Sequence, residues 1–379
     1  MTAVRIVFAL LFFVVSTLVF IPAPSLFAWQ LKLAATEYGH WMVLGSLAVI
    51  VAGRRRSGID SASVVLAALA GLLFLSSAVR ASMFAGTAKS RMDASFPATA
   101  DSAKRPPFSL PALWFGKSPV RVEVQTLAFA EHDANPLRLD FYAPQGRAAA
   151  PCVIVLHGGG WEQGERHEFA AFNHLLAARG YAVAAIDYRL APRWTWPAPH
   201  ADTLAALRYL EVHAGELGID PQRFVLMGRS AGGQIAESVA APGEHPGIVG
   251  CIALYAPADM HFAHQYAKRS DILNSEKLLR QFLGGTPLDA AANYDSASGY
   301  GLANPKTPPT LLIHGAKDEL VWVKQSERYA ERLRSLEVRH VFLRPPWATH
   351  AFDHGLHTPG GQLTAWAVER FLVAVTQSR

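Results

Sequence analysis

Cysteine is scarce in this sequence, and charged residues are few. Cys152 and Cys251 are its only cysteines. The sequence has no CxxC pair and no cluster of cysteine and histidine, which excludes a disulfide framework and a zinc-binding motif. Charged residues make up 17% of the chain and hydrophobic residues 51%, whereas about a quarter of an ordinary soluble domain is charged. The apolar excess lies in the N-terminal part.

The net charge of +5 also belongs to the N-terminal part. Residues 1–100 contain eight basic and three acidic residues, and the remaining residues carry 27 of each sign. A nucleic-acid-binding domain needs a basic face, so a C-terminal part that is neutral overall predicts no nucleic-acid partner.

Three uncharged apolar stretches indicate a membrane anchor. A helix that crosses about 30 Å of hydrocarbon needs roughly 20 residues. We therefore predict transmembrane helices over about 6–29, 38–53 and 61–80, within an anchor of residues 1–85. The first stretch has an alternative interpretation as a cleaved signal peptide, because a basic residue precedes its apolar core and small residues follow it.

Three consecutive arginines predict the orientation of this anchor. They occupy positions 54–56, in the short loop between the second and third predicted helices, and short basic loops stay in the cytoplasm. We predict an integral protein of the bacterial inner membrane, with residues 120–379 on the periplasmic side. Residues 86–119 are rich in Ala, Ser and Pro and predict a linker, whose aromatic residues either dock on the next domain or lie at the membrane interface.

From residue 120 onward, short apolar runs alternate with helical stretches, which predicts an α/β fold with a mostly parallel sheet. Strands are predicted at 120–129, 137–141, 153–156, 181–186, 224–227, 248–255, 310–313 and 338–343. Helices are predicted at 167–179, 200–215, 231–241, 322–335 and 361–376. Chemistry in such sheets is located beyond the C-terminal ends of the strands.

A GxSxG sequence, Gly228–Gly232, directly follows one predicted strand and precedes a helix. Small flanking residues allow a sharp turn that exposes Ser230 as a nucleophile. The alternative is an ordinary glycine–serine turn.

Three consecutive glycines follow another predicted strand. They are Gly158, Gly159 and Gly160, within the sequence HGGGW. Glycine lets the backbone turn its N–H groups toward a ligand, so these residues and the N–H of Ala231 are the predicted oxyanion hole. A phosphate-binding loop and a flexible turn are the alternatives, although neither of the usual phosphate-loop motifs is present. Trp161 either lines the substrate pocket or packs in the core.

An acidic residue and a histidine follow the last two predicted strands. Asp318 is the predicted partner that orients the catalytic imidazole, with a helix N-cap as its alternative role and Glu319 as the substitute. His350 is the predicted base, with His354 next. The order Ser230, Asp318, His350 is typical of α/β-hydrolases.

The motifs together resemble the hormone-sensitive-lipase-like carboxylesterases and the related bacterial feruloyl-esterase-like esterases. The matching sequences are HGGGW at 157–161, DYRLAP at 187–192, GRSAGG at 228–233 and HGAKDELV at 314–321. The resemblance implies the α/β-hydrolase fold with an eight-stranded sheet, no metal and no cofactor. Many relatives have Asp where Arg229 stands and Gly where Ala351 stands. These departures concern substrate preference, and Arg229 is a predicted substrate-binding residue.

In that fold the strands of the two cysteines lie on either side of the nucleophile strand, about 9–10 Å apart. This distance exceeds the reach of a disulfide.

Residues 257–307 are too long for a simple connection and predict a cap over the site. The aromatic candidates for the pocket are Phe262, Tyr266, Tyr294 and Tyr300.

The sequence therefore predicts a membrane-anchored serine hydrolase that cleaves a small-molecule or lipid carboxylic ester through an acyl-enzyme. Amide hydrolysis or acyl transfer by the same triad is one alternative. A non-catalytic membrane receptor or scaffold that keeps the fold is the other.

Overall fold

The C-terminal strands form one eight-stranded sheet, as expected. The computed structural model describes residues 2–53, 60–97, 105–133, 135–146 and 149–377. The sheet order is β1-β2-β4-β3-β5-β6-β7-β8; β2 pairs antiparallel with β1 and β4, and the other pairs are parallel. The strands are β1 (Val124–His132), β2 (Asn135–Tyr142), β3 (Ala150–Leu156), β4 (Ala182–Ile186), β5 (Ile219–Arg229), β6 (Ile248–Leu254), β7 (Thr310–Ile313) and β8 (His340–Leu343).

Helices cover both faces of the sheet. Because β3 and β4 are buried along their whole length, their sequences are continuous apolar runs rather than alternating ones. The helices are α6 (Ala170–Ala178), α7 (Ala198–Val212), α8 (Ala214–Leu217), α9 (Ala231–Ala240), α10 (Met260–Tyr266), α11 (Ser275–Leu283), α12 (Ala291–Ser296), α13 (Gly299–Leu302), α14 (Lys324–Ser335) and α15 (Pro359–Thr376).

The two cysteines lie on strands that do not touch. Cys152 is on β3 and Cys251 is on β6, and β5 runs between these strands. Both thiols are free and buried. The two strands lie two spacings apart in the sheet, about 9–10 Å, which is more than the roughly 7 Å that a disulfide can span, so this geometry agrees with the predicted lack of a bridge.

The described residues of the N-terminal part form five helices. The single helix predicted over 6–29 is wrong, because the chain turns between Thr17 and Leu26. Pro22 and Pro24 lack the N–H that a continuing helix needs, and the Ser25 hydroxyl caps the next helix by accepting from Ala28 N at 3.2 Å. The five helices are α1 (Thr2–Thr17), α2 (Leu26–Glu37), α3 (Gly39–Gly53), α4 (Asp60–Ser95) and α5 (Leu110–Phe115).

Helix α4 is longer than the predicted helix over 61–80. It continues to Ser95, so the first ten residues of the predicted linker 86–119 are helical. This stretch is rich in good helix formers and meets no proline before Pro97. Its C-terminal half packs on the C-terminal domain: Arg91 Nη1 donates to Phe342 O at 3.0 Å, and Asp93 pairs with Arg370. This described first part of the predicted linker is therefore docked rather than a free tether.

Helices α1, α3 and α4 form a bundle. Among the described residues only one helical stretch, Ser61–Ser95, is long and apolar enough to cross a membrane; Ala3–Thr17 and Gly39–Ala52 are apolar but shorter. Arg5 donates to Ala52 O at 3.0 Å and to Ser63 Oγ at 3.1 Å. These contacts put the start of α1, the end of α3 and the start of α4 at the end of the bundle remote from the C-terminal domain.

Candidate active site

Ser230 occupies a sharp turn between β5 and α9. Its backbone has φ 53° and ψ −120°, a conformation that a side-chain-bearing residue adopts only under constraint. A Cβ on Gly228 would lie 2.1 Å from Gly232 O, and one on Gly232 would lie 2.3 Å from His157 O. Only glycine fits at both positions, which explains why the GxSxG spacing produces this turn.

His350 and Asp318 form a direct hydrogen bond. His350 Nδ1 lies 2.7 Å from Asp318 Oδ2, and both side chains are buried. Asp318 Oδ1 accepts from the backbone N–H groups of Leu320 and Val321, each at 2.9 Å. The carboxylate therefore shapes its own loop and is not a helix N-cap, since α14 begins only at Lys324.

Burial alone would raise the pKa of Asp318. The charge of His350 and the hydrogen bonds from His314 and His350 outweigh this effect and hold the pKa of Asp318 well below its usual range. His314 Nε2 lies 3.1 Å from Asp318 Oδ2. Asp318 is thus an anion at any pH where the imidazole functions as a base, as an orienting carboxylate must be.

The two substitute residues point elsewhere. The Glu319 side chain pairs with Lys32 of α2, and His354 Nδ1 contacts Tyr38 OH at 3.4 Å. Neither side chain takes part in the Asp318–His350 pair, so the geometry favours Asp318 and His350 over these substitutes.

Ser230 and His350 both contact the C-terminal end of β6, at Leu254 and the following Tyr255. Ser230 N donates to Leu254 O at 2.9 Å, and the next residue, Tyr255, has its ring 4.5 Å from the His350 ring. In the described part of the chain, the Ser230 hydroxyl makes no hydrogen bond. The bond between nucleophile and base often tightens only when substrate is present.

The glycine loop lies beside Ser230. A Cβ on Gly158 would be 3.6 Å from the Ser230 Cβ, and Gly159 and Gly160 have φ of +106° and +60°. Glu162 N and Gln163 N both donate to Gly159 O, at 3.2 and 3.1 Å. The N–H groups of Gly159 and Gly160 have no acceptor among the residues that the structure describes, so they are available to an oxyanion.

A cavity of about 370 Å³ opens at Ser230, Gly160 and Ala231. Helices α10 and α11, from the predicted cap, form one wall. Trp161 lines it, stacked on Phe282 at 4.4 Å with its Nε1 donating to Gln234 Oε1 at 2.9 Å. Large apolar side chains make up much of the remaining wall: Phe262, Tyr266, Leu273, Leu278, Leu279, Leu320, Val321 and Trp322.

Two of the four aromatic candidates do not reach this cavity. Tyr294 is fully buried and donates to Gly285 O at 3.1 Å, and Tyr300 packs against Arg328. Phe262 and Tyr266 do line it. The described residues contain no group of three or more His, Cys, Asp or Glu placed to hold a metal ion.

The prediction that Arg229 binds substrate is wrong. Arg229 is not one of the residues that line the cavity at Ser230. It is 1% exposed, and its Nε donates to Asp353 Oδ2 at 2.7 Å. Tyr255 OH donates to the other oxygen, Asp353 Oδ1, at 2.6 Å.

Sequence reasoning missed this Arg229–Asp353–Tyr255 network. Asp353 lies three residues after His350, and Tyr255 packs on the His350 ring. The network therefore ties the loop of His350 to the end of β5. The one sequence signal for it was Arg229 itself, a charged residue within an otherwise apolar turn.

We expect Arg229→Met to lower the free energy of unfolding by about 3–5 kcal/mol, because it leaves the Asp353 carboxylate buried without its counter-charge. Urea denaturation followed by tryptophan fluorescence measures the loss. Arg193→Met is a matched control, since Arg193 pairs with Asp133 at an exposed site and should cost less than about 1 kcal/mol. Equal losses in the two variants would contradict the interpretation.

Solved structures with a similar fold define the class of the C-terminal domain. The propionate-bound esterase Est2 of Thermogutta terrifontis matches with a TM-score of 0.55 at 23% identity, covering 67% of this chain and 94% of that chain. Carboxyl esterase 2 of Tuber melanosporum matches with a TM-score of 0.58 at 22% identity, covering 69% and 89%. The domain therefore has the α/β-hydrolase fold.

The family assignment comes from the sequence. Residues 139–333 match the BD-FAE family, and the chain belongs to this family. A probable carboxylic ester hydrolase, LipM of Mycobacterium tuberculosis, is 30% identical over 237 residues, which is 60% of this chain and 54% of LipM. The ethyl acetate hydrolase of Pseudomonas putida is 35% identical over 146 residues, which is 37% of this chain and 46% of that protein. This chain spans about half the length of these curated relatives.

Proposed function

We propose that this protein is a serine hydrolase that cleaves carboxylic esters, with Ser230 as nucleophile, His350 as base and Asp318 as the orienting carboxylate. The observation that carries the proposal is the 2.7 Å hydrogen bond between His350 Nδ1 and Asp318 Oδ2. That bond lies at the same end of the sheet as the strained turn of Ser230. It leaves Nε2 of His350 as the nitrogen that can accept a proton from a serine.

The reaction follows from these positions. His350 Nε2 accepts the Ser230 proton while Ser230 Oγ bonds to the ester carbonyl carbon. The oxyanion that forms accepts hydrogen bonds from the N–H groups of the glycine loop and Ala231, and one such donor is typically worth about 3–4 kcal/mol. His350 then protonates the departing alcohol. Water, deprotonated by His350, bonds to the acyl carbon; His350 then returns this proton to Ser230 Oγ as the acyl–oxygen bond breaks, and the acid is released.

The cavity supports a small or medium acyl or alcohol group as the substrate part next to Ser230. Its volume of about 370 Å³ is within the range of small-molecule sites. Its aromatic and aliphatic walls favour apolar groups. The names of the relatives, carboxylic ester hydrolase and ethyl acetate hydrolase, point to the same bond type.

We also propose that the N-terminal bundle anchors the protein in a membrane. Several large apolar side chains on its helices are exposed, including Phe8, Leu11, Leu44, Leu47, Leu69 and Leu72. Large exposed apolar side chains in such number support contact with lipid or another apolar partner. The arginines at 54–56, on which the predicted orientation depends, lie outside the described residues. The proposed location is the bacterial inner membrane with the catalytic domain on the periplasmic side, which alkaline phosphatase fusions after residues 57 and 97 would test.

A fluorophosphonate probe tests the catalytic proposal directly. Phosphonylation needs a serine activated by a base beside an oxyanion hole, so we expect stoichiometric labelling of the peptide that contains Ser230, read by mass spectrometry. Labelling should be matched by hydrolysis of p-nitrophenyl acetate and butyrate. Folded protein that neither reacts with the probe nor hydrolyses these esters would instead support the receptor or scaffold alternative.

A further inference from the structure

Helix α2 lies directly on the loop that carries His350. Trp29 Nε1 donates to the hydroxyl of Thr349, the residue before His350, at 3.2 Å. On the same helix Lys32, Ala35, Thr36 and Glu37 are buried against their surroundings. A helix from the N-terminal part therefore forms part of the environment of the proposed base.

Glu37 holds the two ends of the His350 loop together. Trp347 Nε1 donates to Glu37 Oε1 at 3.2 Å, and Gly360 N donates to Glu37 Oε2 at 2.7 Å. Trp347 precedes His350 by three residues, and Gly360 lies in the first turn of α15. Glu37 and Trp347 are both essentially inaccessible to solvent, so no water competes for these bonds.

Lys32 reaches the other loop of the proposed triad. Its ammonium group is 1% exposed and donates to the carboxylate of Glu319, the residue after Asp318, and to Ile21 O. Glu319 also lines the cavity at Ser230. The loops of Asp318 and His350 are joined to each other as well, since Lys317 N donates to Ala348 O at 2.9 Å.

A buried carboxyl group and a buried ammonium group are an expensive means of attaching one helix to a domain. Removing polar and charged groups from water costs free energy, and apolar side chains of similar size often stabilise such contacts equally well. Apolar contacts, however, do not fix a loop in direction, whereas hydrogen bonds do. Both polar groups of α2 are directed at the two loops that must hold the imidazole within about 1 Å of its productive position.

We infer that Glu37 and Lys32 are positioning residues for this site, so that a helix outside the α/β-hydrolase domain completes it. The inference depends on the proposed function, because it assigns their effect to His350 and Asp318. Residues 26–37 then belong to the functional unit, and the catalytic domain is not autonomous in activity.

Full-length Glu37→Gln, purified in detergent, tests this inference. We expect kcat for p-nitrophenyl butyrate to fall by about 10- to 100-fold, since small displacements of a base have effects of this size. KM should stay within about twofold, because Glu37 does not line the cavity. Lys32→Met should lower kcat as well and change KM too, since it frees Glu319.

Asp93→Asn is the matched control. Asp93 also joins the N-terminal part to the catalytic domain, through Arg370 of α15, but it contacts neither loop. We expect it to lower the melting temperature and leave kcat unchanged. Wild-type kcat in Glu37→Gln, or an equal loss of kcat in Asp93→Asn, would overturn the inference. Wild-type protein that fails to hydrolyse esters would overturn the proposed function instead.

A double-mutant cycle separates positioning from loss of fold. Trp347→Phe removes the N–H that Glu37 accepts and keeps an aromatic ring. If the hydrogen bond positions the loop, the combined Glu37→Gln and Trp347→Phe variant should lose no more kcat than the stronger single variant. Fluorophosphonate titration counts the folded sites, so that kcat is given per active Ser230. Multiplicative losses would contradict a role through this bond.

The pH dependence of stability gives an independent readout. Burial raises the pKa of Glu37 to about 8, although the hydrogen bonds from Gly360, Thr358 and Trp347 lower it. The neighbouring titratable and charged groups are Asp353, itself paired with Arg229, and Tyr38. Because the native state keeps a proton that the unfolded state loses above its ordinary pKa of 4.5, stability falls as the pH rises from 4.5 to about 8.

Glu37→Gln should remove that part of the pH dependence. We expect the melting temperature of the wild type to fall by several degrees more than that of Glu37→Gln between pH 5 and about 8.5. Parallel curves for the two proteins would show that the carboxyl group is not held at the buried position from which the inference starts.

Discussion

Ser230→Ala is expected to lower kcat for p-nitrophenyl butyrate by about 10⁶-fold, the order typical of removing the serine of such a triad. The alanine cannot form the acyl-enzyme, so only binding and the oxyanion hole remain to accelerate direct attack by water. KM should change little, because the cavity walls are untouched. Stopped-flow and overnight assays together cover this range of rates.

The matched control for this variant is Ser238→Ala. Ser238 lies two turns further along α9, is fully buried, and donates to Ile235 O at 2.8 Å. Its loss should cost about 1 kcal/mol of stability and leave kcat unaltered. If Ser230→Ala retained more than a thousandth of the wild-type rate, another residue would have to be the nucleophile.

Asp318→Asn should lower kcat by about 10⁴-fold while preserving the fold. The carboxylate accepts from His350 Nδ1, whereas an amide can present its NH₂ group to that nitrogen. The imidazole would then carry its proton on Nε2, the atom that must accept the proton of Ser230. The backbone N–H groups of Leu320 and Val321 would still find the amide oxygen, so the loop should keep its shape.

The pH–rate profile distinguishes this effect from general damage. Hydroxide or an added strong nucleophile can attack without a general base, so it bypasses an imidazole in the wrong tautomer. The residual activity of Asp318→Asn should therefore rise with pH. Asp289→Asn provides the comparison, since its carboxylate also accepts a backbone N–H, from Thr286 at 3.0 Å, but on the exposed cap. A comparable loss of kcat in Asp289→Asn would contradict the assignment of Asp318 as the orienting carboxylate.

The catalytic domain could be predicted closely because its signals are local. Strand β7 occupies Thr310–Ile313, the predicted residues, since a short apolar run between prolines and a glycine has few other options. The same holds for the turn of Ser230, where Gly228 and Gly232 are each the only residue that fits. Periodicity and glycine spacing are properties of neighbouring residues.

The parts that sequence could not predict depend on distant partners. Glu37 and Trp347 are separated by 310 positions, and nothing near Glu37 in the sequence indicates where its carboxylate binds. Arg229 was misassigned for a related reason: its partner Asp353 is 124 positions away. A charge in an apolar segment predicts a buried partner, but it does not identify that partner.

The length of α4, which runs from the bundle to the C-terminal domain, bears on how far that domain would lie from the proposed membrane. At 1.5 Å per residue the 36 residues of α4 form a rod of about 54 Å. If roughly 20 of them cross the hydrocarbon as proposed, about 24 Å remain to support the domain. On that proposal, the docked rod would hold Ser230 at a fixed height above the lipid surface, and only esters that come to this height would be hydrolysed.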